Sequence, residues 1–160
     1  MPEDQPPQEK RRFYRRVRND QWQQEDQQTL KDTVFYIKGS ELGLSVFDAA
    51  FAVPRTVLEH LLQEWDQIAA RSEKDQRWVA KQWEKHGKSV EALVASGWGV
   101  TVVTEDLFVR CGFQPSSQID PNGHLEILGT KEAFEEQSLE IIDDPECWIL
   151  SEEECLAQWP

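Results

Sequence analysis

GLSVFDAAFAVPRTVLEHLLQEWDQIAARSEKDQRWVAKQWEKHG, residues 43–87, holds the clearest helical periodicity of the chain and most of its apolar mass. Within it, apolar side chains recur at steps of three and four: Leu58, Leu61, Leu62, Trp65, Ile68 and Ala69. On a helical wheel they form one stripe roughly 120° wide, which predicts a core helix with one buried face. Pro54 suits its first turn, and Thr56 with Glu59 has the form of a capping box.

A second helix is predicted directly after the first. Ser72 is a suitable N-cap, and Gly87 suits a helix end in the left-handed conformation. Upstream, Ser45 and Asp48 are suitable caps for an additional short helix. Residues 44–86 therefore predict two to three packed helices.

The flanking sequence predicts strands and shorter helices. Residues 33–38 (TVFYIK) and 98–104 (WGVTVVT) are β-branched and aromatic, which is typical of strands. Residues 120–123 (DPNG) are a strong turn signal that should join two short strands in a hairpin. The other expectations are caps for short helices at Thr104, Thr130 and Ser151, and one further strand at 139–142.

These elements predict an α+β fold with a particular order along the chain. The first half is expected to be helix-rich, with the two to three packed helices. The second half is expected to be small and to contain a mainly antiparallel sheet. A flexible N-terminal arm is expected to precede both.

Composition and length favour one folded domain behind that arm. The chain has 160 residues, of which 39% are hydrophobic and 29% charged, enough for a real core. No apolar run reaches the length of a membrane span, and the N-terminus has no apolar run typical of a secretory signal. Three cysteines without a CxxC pair predict reduced thiols and a cytoplasmic location.

Charge is distributed unevenly along the chain. Residues 1–18 hold six basic and three acidic groups, whereas the remaining 142 residues carry a net charge of −16. Residues 1–28, basic and glutamine-rich, are therefore predicted to be an arm that is extended or disordered alone. Residues 29–160 are predicted to form one acidic globular domain, which should stay folded when the arm is removed.

The arm is predicted to bind a partner through the segment KRRFYRRVR, residues 10–18. The predicted contact residues are Arg11, Arg12, Phe13, Tyr14, Arg15, Arg16 and Arg18. Arginine forks pair with carboxylates and phosphates alike. Composition therefore leaves three targets open: an acidic protein face, RNA, and the chain's own acidic C-terminal third.

A second contact surface is predicted on the second helix. Trp78 and Trp83 diverge by about 140° on its wheel, so one faces the core and the other faces outward. An exposed tryptophan among cations is typical of an interface anchor, and partial burial inside the domain is the alternative. The predicted surface consists of Arg77, Trp78, Lys81 and Lys85.

No residue pattern predicts catalysis, a bound metal or a cofactor. His60 and Glu64 are four apart on a helix, but a third ligand is missing. Cys111 has a basic neighbour, although a structural thiol is the favoured interpretation because a nucleophile also needs a nearby histidine. We therefore expect no catalytic residues, no metal and no cofactor.

Two short segments resemble known families. Residues 44–62 (LSVFDAAFAVPRTVLEHLL) resemble a helix-turn-helix, with Ala49 and Ala50 in the first helix. This resemblance implies DNA binding through the second helix. Residues 107–115 (LFVRCGFQP) are similar to a segment near the end of acetyltransferases of the GNAT family, which implies a small enzyme. The spaced glycines of that family's cofactor-binding signature are absent.

The favoured interpretation is a non-catalytic interaction, assembly or regulatory factor. It would dock on a protein partner with its acidic domain and basic arm, as an inhibitor or immunity protein does. A nucleic-acid-binding regulator that uses the arm or the helix-turn-helix at 44–62 is the alternative, and an acetyltransferase-like enzyme is the third interpretation. Because an acidic body repels phosphate backbones, nucleic acid is expected only at the arm. The sequence indicates no oligomeric state.

Overall fold

The structure is a computed structural model that describes residues 10–23, 29–38 and 43–158. Residues 1–9 and 24–28 of the predicted arm lie outside the described residues. The strands are β1 (Arg12–Val17), β2 (Gly43–Asp48), β3 (Gly99–Thr104), β4 (Gln114–Pro115), β5 (His124–Leu128) and β6 (Cys147–Ile149). The α-helices are α1 (Pro54–Ala69), α2 (Glu73–His86), α3 (Val90–Ala95), α4 (Glu105–Arg110), α5 (Lys131–Asp143) and α6 (Glu152–Leu156), and a 3₁₀ helix spans Asp32–Phe35.

The six described strands form one antiparallel sheet in the order β4-β5-β2-β1-β3-β6. Strand β1 pairs with β3 along its whole length, from Arg12 opposite Thr104 to Val17 opposite Gly99. On its other edge, β1 pairs with the end of β2. The N-terminal strand is therefore an interior strand of the sheet.

Helices cover both faces of the sheet, and each face has its own apolar core. The first core lies beneath α4, α5 and the 3₁₀ helix and contains Phe13, Val17, Phe108 and Phe134. The second core lies between the sheet and helices α1, α2, α3 and α6. Because side chains alternate along a strand, β1 contributes to both: Phe13 enters the first core and Tyr14 packs against the second.

Helix α1 buries much of the predicted stripe. Leu58, Leu61 and Trp65 are buried, whereas Leu62 and Ile68 pack at the margin of the second core. The predicted capping box is wrong, because Thr56 lies inside the first turn. Its Oγ1 accepts a hydrogen bond from the backbone N–H of Val53 at 3.0 Å.

The boundaries of α2 confirm two predictions. Ser72 Oγ accepts a hydrogen bond from the backbone N–H of Asp75 at 3.1 Å, which caps the helix N-terminus. Gly87 ends the helix with φ of +78°, and an added Cβ there would lie 2.5 Å from the side chain of Ala92. Thr104, Thr130 and Ser151 likewise cap α4, α5 and α6.

The predicted fold, with a helix-rich first half behind a flexible arm, is wrong. The mixed α+β chain begins with two strands of the sheet, and its two longest packed helices, α1 and α2, lie in the middle. Residues 12–17 form an interior strand in which Phe13 and Val17 lie on one face and are fully buried. Arg15, between them on that face, donates to the carbonyls of Val34 and Ser45. Because Arg15 and Arg16 stand between Phe13 and Val17, the sequence did not indicate a strand.

Three local predictions are also wrong. Residues 44–48 form β2, so the first helix of the proposed helix-turn-helix does not exist. In the predicted strand at 33–38, Thr33–Phe35 belong to the 3₁₀ helix, which buries Val34 and Phe35. Residues 139–142 continue α5 instead of forming a strand. In the part of the chain that the structure describes, no helix combines the length and the apolar character needed to cross a bilayer.

Candidate binding cavity

Two arginines of the predicted arm hold β1 against its neighbours. Arg11 donates from Nε to Asp48 Oδ2 at 2.8 Å and from Nη1 to Glu105 Oε2 at 2.9 Å. Arg15 donates from Nε to the carbonyl of Val34 at 2.9 Å and from Nη1 to the carbonyl of Ser45 at 2.7 Å. The basic segment therefore contributes to the fold as well as to the surface.

The next two arginines bind carboxylates nearer the solvent. Arg16 Nη2 lies 3.2 Å from each carboxylate oxygen of Glu64 on α1. Arg18 Nε lies 3.2 Å from Asp20 Oδ1, and 57% of the Arg18 side chain stays exposed. Charge-assisted pairs of this kind orient the guanidinium groups, although exposed pairs add little stability.

A cavity of about 530 Å³ brings these arginines together with tryptophans of the helices. Its walls come from β1 and the residues after it, from α1 and α2, and from the residue before β3. The lining residues are Arg15, Arg16, Arg18, Gln21, Lys38, Leu61, Glu64, Trp65, Ile68, Trp78, Gln82 and Trp98. We name it the arginine–tryptophan cavity.

The charge of this lining is opposite to that of the chain. Four lining side chains are cationic and only Glu64 is anionic, whereas the whole chain carries a net charge of −13. Walls of one sign concentrate the electric field inside a concave site. The lining of the cavity therefore carries a net positive charge.

The aromatic side of the cavity contains two fixed indoles and one accessible indole. Trp65 and Trp98 are buried and meet edge to face, with ring centres 6.1 Å apart and planes at 81°. Trp98 Nε1 is buried without a hydrogen-bond partner among the described residues. Trp78 on α2 is 48% exposed and offers its ring to a ligand.

The cavity joins the two predicted contact surfaces only in part. Arg15, Arg16 and Arg18 of the arm meet Trp78 of the helix surface in its lining. The other helix residues, Arg77, Lys81 and Lys85, are exposed on α2 but do not line it.

The remaining arm residues lie elsewhere. Phe13 is fully buried in the first core, and Arg11 is held by Asp48 and Glu105. Arg12 and Tyr14 line a separate groove beside Trp148. The arm residues therefore do not form one continuous contact surface.

A histidine cluster that sequence reasoning missed adjoins the cavity. The rings of His60 on α1 and His124 on β5 stack with centres 6.3 Å apart. His60 Nδ1 lies 2.8 Å from Glu64 Oε1 but has no aligned hydrogen-bond partner among the described residues. On the other side, His124 contacts Ser45 and Asp120. The sequence signal was limited to the His60–Glu64 spacing, because the other contacts depend on sheet register.

Burial lowers the pKa of His60 below its ordinary value of 6.5, against the opposing effect of the Glu64 carboxylate. Because the folded pKa is the lower one, the unfolded chain takes up its proton first as the solution becomes acidic. Acidification through about pH 6.5 should therefore lower the free energy of unfolding. Urea unfolding at about pH 7.5 and 5.5 measures this loss, and His60→Gln should reduce it. An equal loss in the variant would contradict the assignment to His60.

Among the described residues, the lining of the cavity contains no hydroxyl, thiol or imidazole group. No serine, cysteine or histidine lines it, and no group of three or more metal-ligating side chains gathers within the described ranges. Burial raises the pKa of Cys111 above its ordinary value and that of Cys147 to about 11, so these thiols are protonated at neutral pH.

Comparison with known proteins offers no homology from which to transfer a function. No protein-family model, no curated protein and no solved structure matches the chain. The site chemistry is therefore the basis for a functional proposal.

Proposed function

We propose that the protein is a docking factor that takes an acidic segment of a protein partner into the arginine–tryptophan cavity. The observation that carries this proposal is the charge of the lining. Arg15, Arg16, Arg18 and Lys38 surround one cavity of about 530 Å³ in a chain with a net charge of −13.

The lining chemistry suits carboxylates on a peptide. Guanidinium groups form charge-assisted hydrogen bonds with carboxylates, as Arg16 Nη2 does with the two carboxylate oxygens of Glu64. Indole rings supply apolar area beside the charges, and tryptophan and arginine are the residues that dominate binding energy at protein interfaces. A peptide that carries acidic groups next to an apolar side chain meets both kinds of surface.

The rest of the molecule disfavours a nucleic-acid ligand. A cavity of this volume accommodates a few side chains, whereas a nucleic-acid strand would continue beyond it. That strand would cross a protein that carries 30 acidic residues and a net charge of −13. Like charges oppose such an approach.

Titration with a capped hexaglutamate peptide that contains one leucine tests this proposal. The peptide should change the tryptophan fluorescence, and its affinity should fall with added salt. Charge reversal by Arg18→Glu should weaken binding by at least about tenfold, since one attractive charge becomes repulsive. Arg77→Glu is the matched control, because Arg77 is an exposed arginine outside the cavity.

Two results would contradict this function. One is equal weakening by Arg77→Glu and Arg18→Glu, which would indicate a general charge effect. The other is tighter binding of a single-stranded oligonucleotide of the same charge, which would favour the nucleic-acid interpretation.

A further inference from the structure

We propose that Ser45, His124 and Asp120 form a second, catalytic site that hydrolyses carboxylic esters. His124 Nε2 lies 2.5 Å from Ser45 Oγ, and His124 Nδ1 lies 3.3 Å from Asp120 Oδ2. A nucleophile, a base and an orienting carboxylate thus follow one another in the order that serine-dependent acyl transfer requires. None of the three residues lines the arginine–tryptophan cavity, so this inference is independent of the docking function.

Hydrogen-bond chemistry assigns the roles within this triad. A carboxylate only accepts, so Nδ1 of His124 carries the proton that it donates to Asp120. Nε2 is then the acceptor, and the hydroxyl of Ser45 donates to it. In this tautomer the imidazole is ready to remove the serine proton. Glu126 Oε1, 3.7 Å from Nε2, stabilises the imidazolium that results.

The sheet register places the nucleophile and the base together. Strands β2 and β5 are antiparallel, with Ser45 opposite Glu126 and Phe47 opposite His124. Ser45 and His124 are therefore diagonal neighbours on one face of the sheet. Phe47 meets the His124 ring edge to face at 5.4 Å, and His60 stacks on it. These contacts fix the orientation of the imidazole.

The turn before β5 positions the carboxylate. The backbone N–H of Asp120 donates to the carbonyl of His124 at 2.9 Å, and the N–H of Gly123 donates to the carbonyl of Asp120 at 2.8 Å. Gly123 adopts φ of +88°, a conformation that favours glycine. The turn therefore places Asp120 beside His124.

The triad is accessible to a substrate. Ser45 is half-buried, and the side chains of His124 and Asp120 are 26% and 66% exposed. Phe51 is exposed, and its Cβ lies 3.2 Å from the Cβ that a side chain at Gly123 would have. An apolar surface for the acyl chain therefore adjoins the turn that precedes His124.

The reaction proceeds in two balanced steps. Ser45 Oγ attacks the ester carbonyl carbon while its proton passes to His124 Nε2. The ester C–O bond then breaks, and the departing alkoxide takes that proton and leaves as an alcohol. In the second step a water molecule gives one proton to His124 and attacks the acyl carbon. The bond between the acyl carbon and Ser45 Oγ then breaks, the carboxylic acid is released, and the proton on His124 Nε2 returns to Ser45 Oγ.

A fluorescent phosphonofluoridate tests the site on the full chain. Ser45 Oγ should form a bond to phosphorus with loss of fluoride, which peptide mass spectrometry locates. Ser45→Ala should abolish this labelling, and His124→Gln should slow it by about 100-fold or more, the usual contribution of a general base. Ser116→Ala is the matched control. Ser116 is also half-buried, and its Oγ accepts from the backbone N–H of Gln118 at 3.1 Å.

Asp120→Asn keeps the test decisive if the His124 variant does not fold, because Asp120 lies in an exposed turn. Loss of its carboxylate should slow labelling at least about tenfold. With p-nitrophenyl acetate, the release of p-nitrophenolate should fall to the background rate in Ser45→Ala. Absence of the Ser45 adduct in folded wild-type protein overturns the proposal, as does an unchanged labelling rate in Asp120→Asn.

Discussion

Deletion of residues 1–20 is expected to abolish cooperative folding. The deletion removes β1, which lies between β2 and β3 in the sheet, together with the buried Phe13 and Val17 of the first core. It also removes Arg11 from Asp48, whose side chain is only 3% exposed. A buried carboxylate without its cation is strongly destabilising, by about 3–5 kcal/mol. Far-UV circular dichroism and urea unfolding of the truncated chain measure the effect.

Deletion of residues 1–9 is the matched control for this truncation. It leaves all of β1 in place and also keeps Lys10, which donates to Glu146 at 2.7 Å. The shorter deletion should therefore retain a sharp urea transition. If the longer deletion kept the same transition, the basic segment would be independent of the sheet, as its composition alone predicts.

Trp65→Ala is expected to lower the free energy of unfolding by about 3–5 kcal/mol, the range for removal of a buried aromatic side chain. Trp65 is buried against Trp98 and stacks on His86 at 6.2 Å. Trp78→Ala is the comparison, because Trp78 lines the same cavity while 48% exposed. It should change stability by less than about 0.5 kcal/mol and yet weaken the binding of the acidic peptide.

Urea unfolding and peptide titration of both variants separate the two roles of the tryptophans. A large stability loss in Trp78→Ala would assign that ring to the core. Unchanged peptide affinity in the same variant would remove it from the binding surface.

Local signals in the sequence identified the helix boundaries because caps depend on near neighbours. Ser72 binds the backbone of Asp75, and Thr104 binds that of Leu107. The role of the N-terminal segment depends on distant partners instead. Arg11 contacts Asp48 and Glu105, and Arg16 contacts Glu64. Only the sheet brings these groups together, so composition alone predicted a solvated arm.

The residues of the two candidate sites were predicted only in part, because their contacts also join residues that are distant in the sequence. Arg15, Arg16, Arg18 and Trp78 were predicted as contact residues, but on two separate surfaces. Lys38, Trp65 and Trp98 were missed because nothing in the sequence places them beside the arginines. The contact between Ser45 and His124 joins residues 79 positions apart. It arises from the register of β2 on β5. The sequence pattern placed Ser45 at the start of a predicted helix and therefore did not predict this strand pairing.

The interior position of β1 has a consequence for biosynthesis. The ribosome releases this strand first, but its main partner follows much later, since Arg12 pairs with Thr104 and Val17 with Gly99. Such distant pairings slow folding because a long loop must close before they form. Strand β2 can pair with one edge of β1 early, but the other edge of β1 stays unpaired on the nascent chain until β3 has emerged. During that interval the unpaired N–H and C=O groups along this edge of β1 are exposed, as they are on any edge strand, and can pair with another chain.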